Sequence, residues 1–133
     1  KVYEKYNQEL SGSVELQQQN KHATQNYSYF SILLKDEEQT LLVQKGLNDI
    51  NIYPRRYFYT SLDTLNYIEP KQSTPVSRDI SSRILCLPIF PELEAKDQSV
   101  IISLIKNIIW NKKIEAAISH WEQIASEGIP RVK

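Results

Sequence analysis

Apolar positions follow two rhythms along this chain, one helical and one extended. Val2, Tyr3, Tyr6 and Leu10 recur with a helical period, and Gly12 follows as a stop. Residues 17–25 include three consecutive glutamines and no apolar anchor, and they predict a loop. Residues 26–34 are rich in Tyr, Phe, Ile and Leu and predict a central strand. Lys35-Asp36-Glu37-Glu38 has helix-start chemistry, because acidic groups favour the positive end of the helix dipole. Leu41, Leu42 and Leu47 carry that helix to Asn48, weakened at Gly46 by ~1 kcal/mol relative to alanine. Asn51 stands where a left-handed residue would close the turn, a conformation that asparagine tolerates.

Residues 51–59, Asn-Ile-Tyr-Pro-Arg-Arg-Tyr-Phe-Tyr, predict a second strand. Its alternation would put Arg55, Tyr57 and Tyr59 on one face and Arg56 and Phe58 on the other. Residues 60–73 are polar and predict a loop. Thr74-Pro75 then reads as a capping hydroxyl followed by a proline in the first helical turn, with Val76, Ile80 and Ile84 continuing at helical spacing. Residues 85–90 form a short apolar strand or extended segment, punctuated by Pro88 and Pro91. Val100, Ile101, Leu104, Ile105, Ile108 and Ile109 mark a strongly amphipathic helix. The fold class expected is α/β or α+β, a small sheet covered by helices.

Beyond this body, residues 1–109, lies a helical extension, residues 110–133. Trp110, Ile114, Ala117, Ile118, Trp121 and Ala125 keep helical spacing until Gly128 and Pro130 end it. The helix either continues past Asn111 or breaks there into a second one. The two tryptophans read as packing residues, or as an interface if nothing in the chain covers them.

At 133 residues the chain is long enough for one core and too short for two ordinary domains. Sixteen basic residues balance sixteen acidic ones, so no global field draws it to nucleic acid or an anionic membrane. No apolar run approaches the ~20 residues of a membrane span. The single cysteine, Cys86, lies in an apolar run and reads as a core residue; with no disulfide possible within the chain, a reducing cytoplasm fits. The opening residues lack a signal-peptide core and read as a helix entered midway, as expected of a piece of something longer.

Several chemistries lack their residues. His22 and His120 are far apart and neither has a partner ligand at helical spacing, so no metal site is expected. The three glycines are scattered, which excludes a Gly-rich phosphate loop. No Ser-His-Asp order can be read from spacing. The Arg-aromatic run is the exception. An arginine fork binds phosphate, and its plane and the tyrosine rings can stack on an aromatic or sugar ring. The plainer reading is a half-buried edge strand with a solvated arginine.

The same run carries a family resemblance. With Asn26-Tyr27-Ser28-Tyr29-Phe30, with Ile84-Leu85-Cys86-Leu87-Pro88-Ile89-Phe90-Pro91-Glu92-Leu93, and with Tyr3, Tyr6 and Leu10 of the opening helix, it resembles the C-terminal part of the DegT/DnrJ/EryC1/StrS sugar aminotransferases. The resemblance runs from Lys1 to Ile109. Ser31 and Thr60 stand where that family usually has proline, and Asn51 where it usually has glycine. It implies the small C-terminal domain of a fold-type-I, pyridoxal-phosphate-dependent enzyme. That enzyme would move an amino group, from glutamate, to a nucleotide-linked keto-deoxyhexose, as in lipopolysaccharide or O-antigen biosynthesis.

By the resemblance the catalytic lysine and phosphate cradle belong to a large N-terminal domain missing here. None of the eleven lysines stands in the family's active-lysine context, so this chain is expected to hold no cofactor and no catalytic residue. The parent would be a homodimer. The resemblance makes Arg55 and Tyr57 the best substrate-binding candidates, with Asn26 and Tyr29 lining the same pocket or serving sheet packing; Arg56 falls on a variable position. A different reading keeps the fold but not the chemistry: a non-enzymatic ligand-binding or protein-interaction module.

Overall fold

The computed structural model describes residues 1–128. Helix α1 (Val2–Leu10) leads through a turn at Gly12, φ 80°, into the two-residue strand β1 (Glu15–Leu16). Strand β2 (Phe30–Leu33) is followed by α2 (Glu37–Asn48), α3 (Pro75–Arg83), β3 (Ile84–Leu87) and the long α4 (Ala95–Glu127). The three strands form one antiparallel sheet in the order β1-β2-β3, so β2 is central. Its register pairs Phe30 with Leu87 and Leu33 with Ile84 on one side, and Glu15 with Leu33 on the other.

The alternation of β2 buries Phe30 and Ile32 on one face. Against them pack Tyr6 and Leu10 of α1, Val43 and Leu47 of α2, and Ile101, Ile102, Ile105 and Ile109 of α4. Two polar ties fix α1 to α4, one buried and one at the surface. The buried Gln98 amide donates to the Val2 carbonyl at 2.7 Å, and Lys5 donates to the Ala95 carbonyl at 2.9 Å. Helix α2 starts as its sequence suggests: the Asp36 carboxylate accepts from the Gln39 N–H at 2.8 Å, and the Gln39 side chain accepts from the Lys35 N–H at 3.0 Å. Gly46 has a packing reason. A Cβ there would stand 2.8 Å from Ile108 Cδ1 and 3.2 Å from Leu104 Cδ2, so its absence lets α2 approach α4. Asn51 takes the left-handed conformation at φ 61°.

Three expectations need correction. The first strand is shorter than residues 26–34. Tyr27 lies at φ 55°, and the Asn26 side chain accepts from the Ser28 N–H at 3.0 Å, a local turn incompatible with extension. Thr74 precedes Pro75 at the start of α3, but its hydroxyl does not cap the helix; it lies 3.4 Å from the Ser61 hydroxyl instead.

Residues 51–59 are not a strand. Only Arg55 pairs, through a bridge on the outer edge of β3, its N–H donating to the Cys86 carbonyl at 2.9 Å and its carbonyl accepting at 2.8 Å. The chain then turns at Tyr57 and Phe58, where the Tyr59 N–H donates to the Arg56 carbonyl at 3.2 Å. Arg55, Tyr57 and Tyr59 therefore do not share a strand face. The cause is the pull on Arg56. Its guanidinium turns inward to Glu37 at 2.9 Å and to the Ser82 carbonyl at 2.8 Å, and the Tyr59 ring folds back over it at 3.8 Å.

Helix α4 runs unbroken through Asn111. Its buried positions end at Ile109, and Trp110, Ile114, Ile118 and Trp121 are exposed. No helix among the described residues is long and apolar enough to cross a membrane.

Candidate functional site

The turn that breaks the expected strand also gathers rings. Tyr29, just before β2, meets Tyr57 edge-on at 5.5 Å between centroids and Phe58 at 5.8 Å. An extended run from Arg55 would have carried Tyr57 along β3 toward Ile84, away from Tyr29. All three rings remain about half exposed. Two residues before Tyr57, the Arg55 side chain is exposed and forms no hydrogen bond or ion pair among the described residues. Its neighbour Arg56 is spent on the fold. Thus Tyr29 and Tyr57 come together, Arg55 supplies a free cation at the start of the same turn, and Asn26 stays in its own turn. Phe58, assigned by strand alternation to the opposite face, is the ring that the sequence pattern missed.

After this turn comes a network that the polar run 60–73 barely advertised. The Ser61 hydroxyl donates to Asp63 at 2.6 Å and shares a hydrogen bond with Ser77 at 2.8 Å. The other Asp63 oxygen accepts from the Thr74 N–H at 3.1 Å and from Arg78 Nε at 2.6 Å. These donors, the Ser61 hydroxyl first, hold the Asp63 carboxyl well below the usual carboxylate range, against a desolvation that opposes them. The network fastens the loop, through its short 3₁₀ turn at Leu62–Thr64, to the first turn of α3 and so fixes the end of the ring-bearing segment. The Ser-x-Asp spacing ahead of Thr-Pro was the one signal available.

The remaining chemistry is quiet. Burial pushes the Cys86 thiol up, and its sulfur sits 3.4 Å from the Ser31 hydroxyl, so it stays a neutral core group. The described residues contain no cluster of three metal-ligating side chains. A separate open cavity of about 610 Å³ lies between the start of α1 and residues 89–93, lined by Tyr3, Tyr27, Phe90 and Leu93; neither Arg55 nor Tyr57 borders it.

The sequence model of the DegT/DnrJ/EryC1/StrS aminotransferase family matches residues 1–106. The chain belongs to that family. Over 88 residues it is 34% identical to a dTDP-4-amino-4,6-dideoxy-D-glucose transaminase of Shigella dysenteriae, covering 62% of this chain and 24% of that protein. Over 101 residues it is 26% identical to an Escherichia coli transaminase of the same description, covering 68% and 25%. The chain therefore spans about a quarter of the length of these relatives. Two solved structures share its fold. A DegT-family aminotransferase from Brucella abortus superposes with a TM-score of 0.68 over 80% of this chain and 29% of its own, at 24% identity. The aminotransferase TlmJ from Streptoalloteichus hindustanus gives 0.74 over 84% and 31%, at 19% identity.

A pyridoxal phosphate site does not fit the described residues of this family member. Every described lysine is at least partly exposed. Lys5, Lys45, Lys71, Lys96 and Lys112 each hold a carbonyl, hydroxyl or carboxylate of the fold. None is desolvated beside a phosphate-binding turn, which is what a Schiff-base lysine needs.

Proposed function

We propose that this chain is the substrate-closing small domain of a pyridoxal-phosphate-dependent nucleotide-sugar aminotransferase, and that the cofactor is held by protein outside it. In this reading the whole enzyme works in the cytoplasm as a homodimer. It takes an amino group from glutamate and delivers it to a keto-deoxyhexose carried on a nucleoside diphosphate. The observation that carries the reading is the open ring cluster of Tyr29, Tyr57 and Phe58, with the free Arg55 two residues before Tyr57 in the chain, in a member of this family. Diphosphate suits the arginine fork, and the rings offer edges and faces to a base or sugar. Because the surface is open, it acts as one wall of a site whose other wall comes from the cofactor-bearing part. The chain alone then positions substrate and performs no transfer. Asn26 is at most a support for this wall, through the turn that sets Tyr29.

The test is substrate affinity in the whole enzyme. Arg55→Ala should raise KM for the nucleotide-sugar by about ten- to a hundredfold, the worth of a charge-assisted bond of ~1.5–3 kcal/mol, with the fold intact. An unchanged KM would remove Arg55 from the site. A titration of the chain alone with pyridoxal phosphate should give no aldimine absorbance that survives dialysis. A band lost on changing one lysine would place the cofactor here after all.

A further inference from the structure

The apolar stripe on the far half of α4 is not a continuation of the helix's core face. Gln98, Ile101, Ile102, Ile105 and Ile109 face the core. Prolonged beyond Ile109, that face turns polar, with Lys112, Lys113, His120, Gln123 and Glu127. A new stripe begins roughly 120° further round at 100° per residue. Trp110, Ile114, Ala117, Trp121 and Ile124 follow in steps of four, three, four and three, the spacing of a coiled-coil seam. Trp110, Ile114 and Trp121 are 63%, 41% and 67% exposed, and Ile118 beside them 53%; of the large seam residues only Ile124 is partly covered by the described residues.

We infer that this seam is an interface with a second copy of the chain, the two α4 helices packing antiparallel. Both size and charge select that occupant and that direction. In the antiparallel register each Ile114 faces Ile124 of the second copy and each Ala117 faces Trp121, so that ring meets a small residue, while Trp110 falls opposite Gly128 at the end of the second helix. Ile118 meets Ile118 beside the two-fold axis. Lys113 and Glu127, on the polar flank of the seam, then lie opposite each other across the pair, twice by symmetry. Lys113 is exposed, whereas its neighbour Lys112 is already engaged, pairing with Glu38 at 3.1 Å and Glu115 at 3.2 Å. A parallel pair would stack Trp121 on Trp121 and Ala117 on Ala117, overfilling one layer and emptying the next, and would put Lys113 against Ile118.

Sedimentation of the chain over a concentration series tests this, with circular dichroism on each variant to show that the fold stands. Association to twice the monomer mass is expected, and Trp121→Glu should weaken it at least roughly tenfold. Lys113→Glu and Glu127→Lys should each weaken it by roughly three- to tenfold, and the double exchange should recover most of that loss, because the pair reforms with its signs swapped. A carbodiimide should join Lys113 of one copy to Glu127 of another in a mixture of isotopically light and heavy chains. Within one copy the two residues stand roughly 21 Å apart along the helix axis and cannot be joined. A chain that stays monomeric overturns the inference. So does a dimer indifferent to Trp121→Glu, or one in which the double exchange only adds the two losses. In the whole protein, a crosslink from Lys113 to a peptide outside this chain would seat a different occupant on the seam and would equally overturn it.

Discussion

Arg56 sits in a segment, residues 55–74, with one bridge and one short 3₁₀ turn, yet its side chain is only 12% exposed. Trp121 sits in an unbroken helix of 33 residues, yet is 67% exposed. The irregular segment is fastened by side chains: Arg56 to Glu37 and the Ser82 carbonyl, and Asp63 to Ser61, Thr74 and Arg78. The regular one satisfies its own backbone and reaches back to α2 through Lys112 and Glu38. Regularity is local hydrogen bonding; attachment is side-chain chemistry at long sequence separation, and the two are independent here. The candidate wall lies in the attached, irregular segment, as expected of binding residues carried on a loop that a rigid scaffold positions.

The largest expected effect separates two adjacent arginines. Arg56→Ala should lower folding stability by about 2–4 kcal/mol, since it removes a charge-assisted bond, a carbonyl bond and the stacking on Tyr59 together. Arg56→Lys should recover only part of that loss: both bonds leave one nitrogen, which an ammonium can imitate, but the planar group stacked on Tyr59 is gone. Arg55→Ala should stay within about 0.5 kcal/mol of the parent in urea unfolding, since its exposed side chain makes no hydrogen bond or ion pair among the described residues. Equal losses would mean that Arg55 is also structural and would weaken its assignment to substrate.

Next in size is the seam between α2 and the near half of α4. Gly46→Leu should cost about 1–3 kcal/mol, because Leu104 and Ile108 must both move. Gly46→Ala should fall within about 1 kcal/mol of the parent. The ~1 kcal/mol of helix propensity gained offsets a clash with two flexible side-chain ends. A stabilised leucine variant would show that the two helices do not meet as closely as the missing Cβ implies.

A smaller effect, visible only in acid, belongs to the fastened loop. The Asp63 carboxyl is held below its usual range in the fold, so it binds fewer protons there than in the unfolded chain. Its contribution is complete above the ordinary carboxylate value of about 3.9 and drains as the pH falls below it toward the depressed folded value. Asp63→Asn should lower the urea midpoint at neutral pH and flatten the loss of stability in acid. Parallel acid limbs for the two proteins would remove Asp63 from the account.

Legibility in the sequence follows the same division. Where one period ran long enough, as in α1, α2 and the near half of α4, pattern alone located the helices, but not all of their buried faces: Leu41 and Val100 are exposed, whereas Gln39, Thr40, Val43 and Ile102 are buried. Asn51 was readable because its left-handed turn is a local matter. The strand expected over residues 51–59 was not, because what bends it is Arg56 reaching residues 19 and 26 positions away. The Thr74 cap failed for a similar reason, since Asp63 and Ser61 take its polar groups. Strand β1, two residues long, is too short to show a period. Of the candidate wall, Arg55 and Tyr57 stood out by type and Tyr29 only by the family resemblance, whereas Phe58 joined them through a turn that alternation could not foresee.

The smallest effect on stability should come from breaking the far half of α4, and it is the sharpest probe of the contrast. Ser119→Pro removes one helical hydrogen bond and clashes with the preceding turn, which inside an attached helix would cost ~3 kcal/mol or more. Here it should leave the unfolding midpoint of the body within about 0.5 kcal/mol of the parent at concentrations below self-association, because nothing buried depends on residues beyond Ile109. Helix content should nevertheless fall by the loss of residues around and beyond the break. Amide exchange read residue by residue would show it directly, with the N–H groups near Ile101 and Ile105 still protected and those past Glu115 opened. A midpoint that drops by the full ~3 kcal/mol would mean that the far half is coupled to the core after all, and that the exposed tryptophans rest on a surface whose contribution reaches the body.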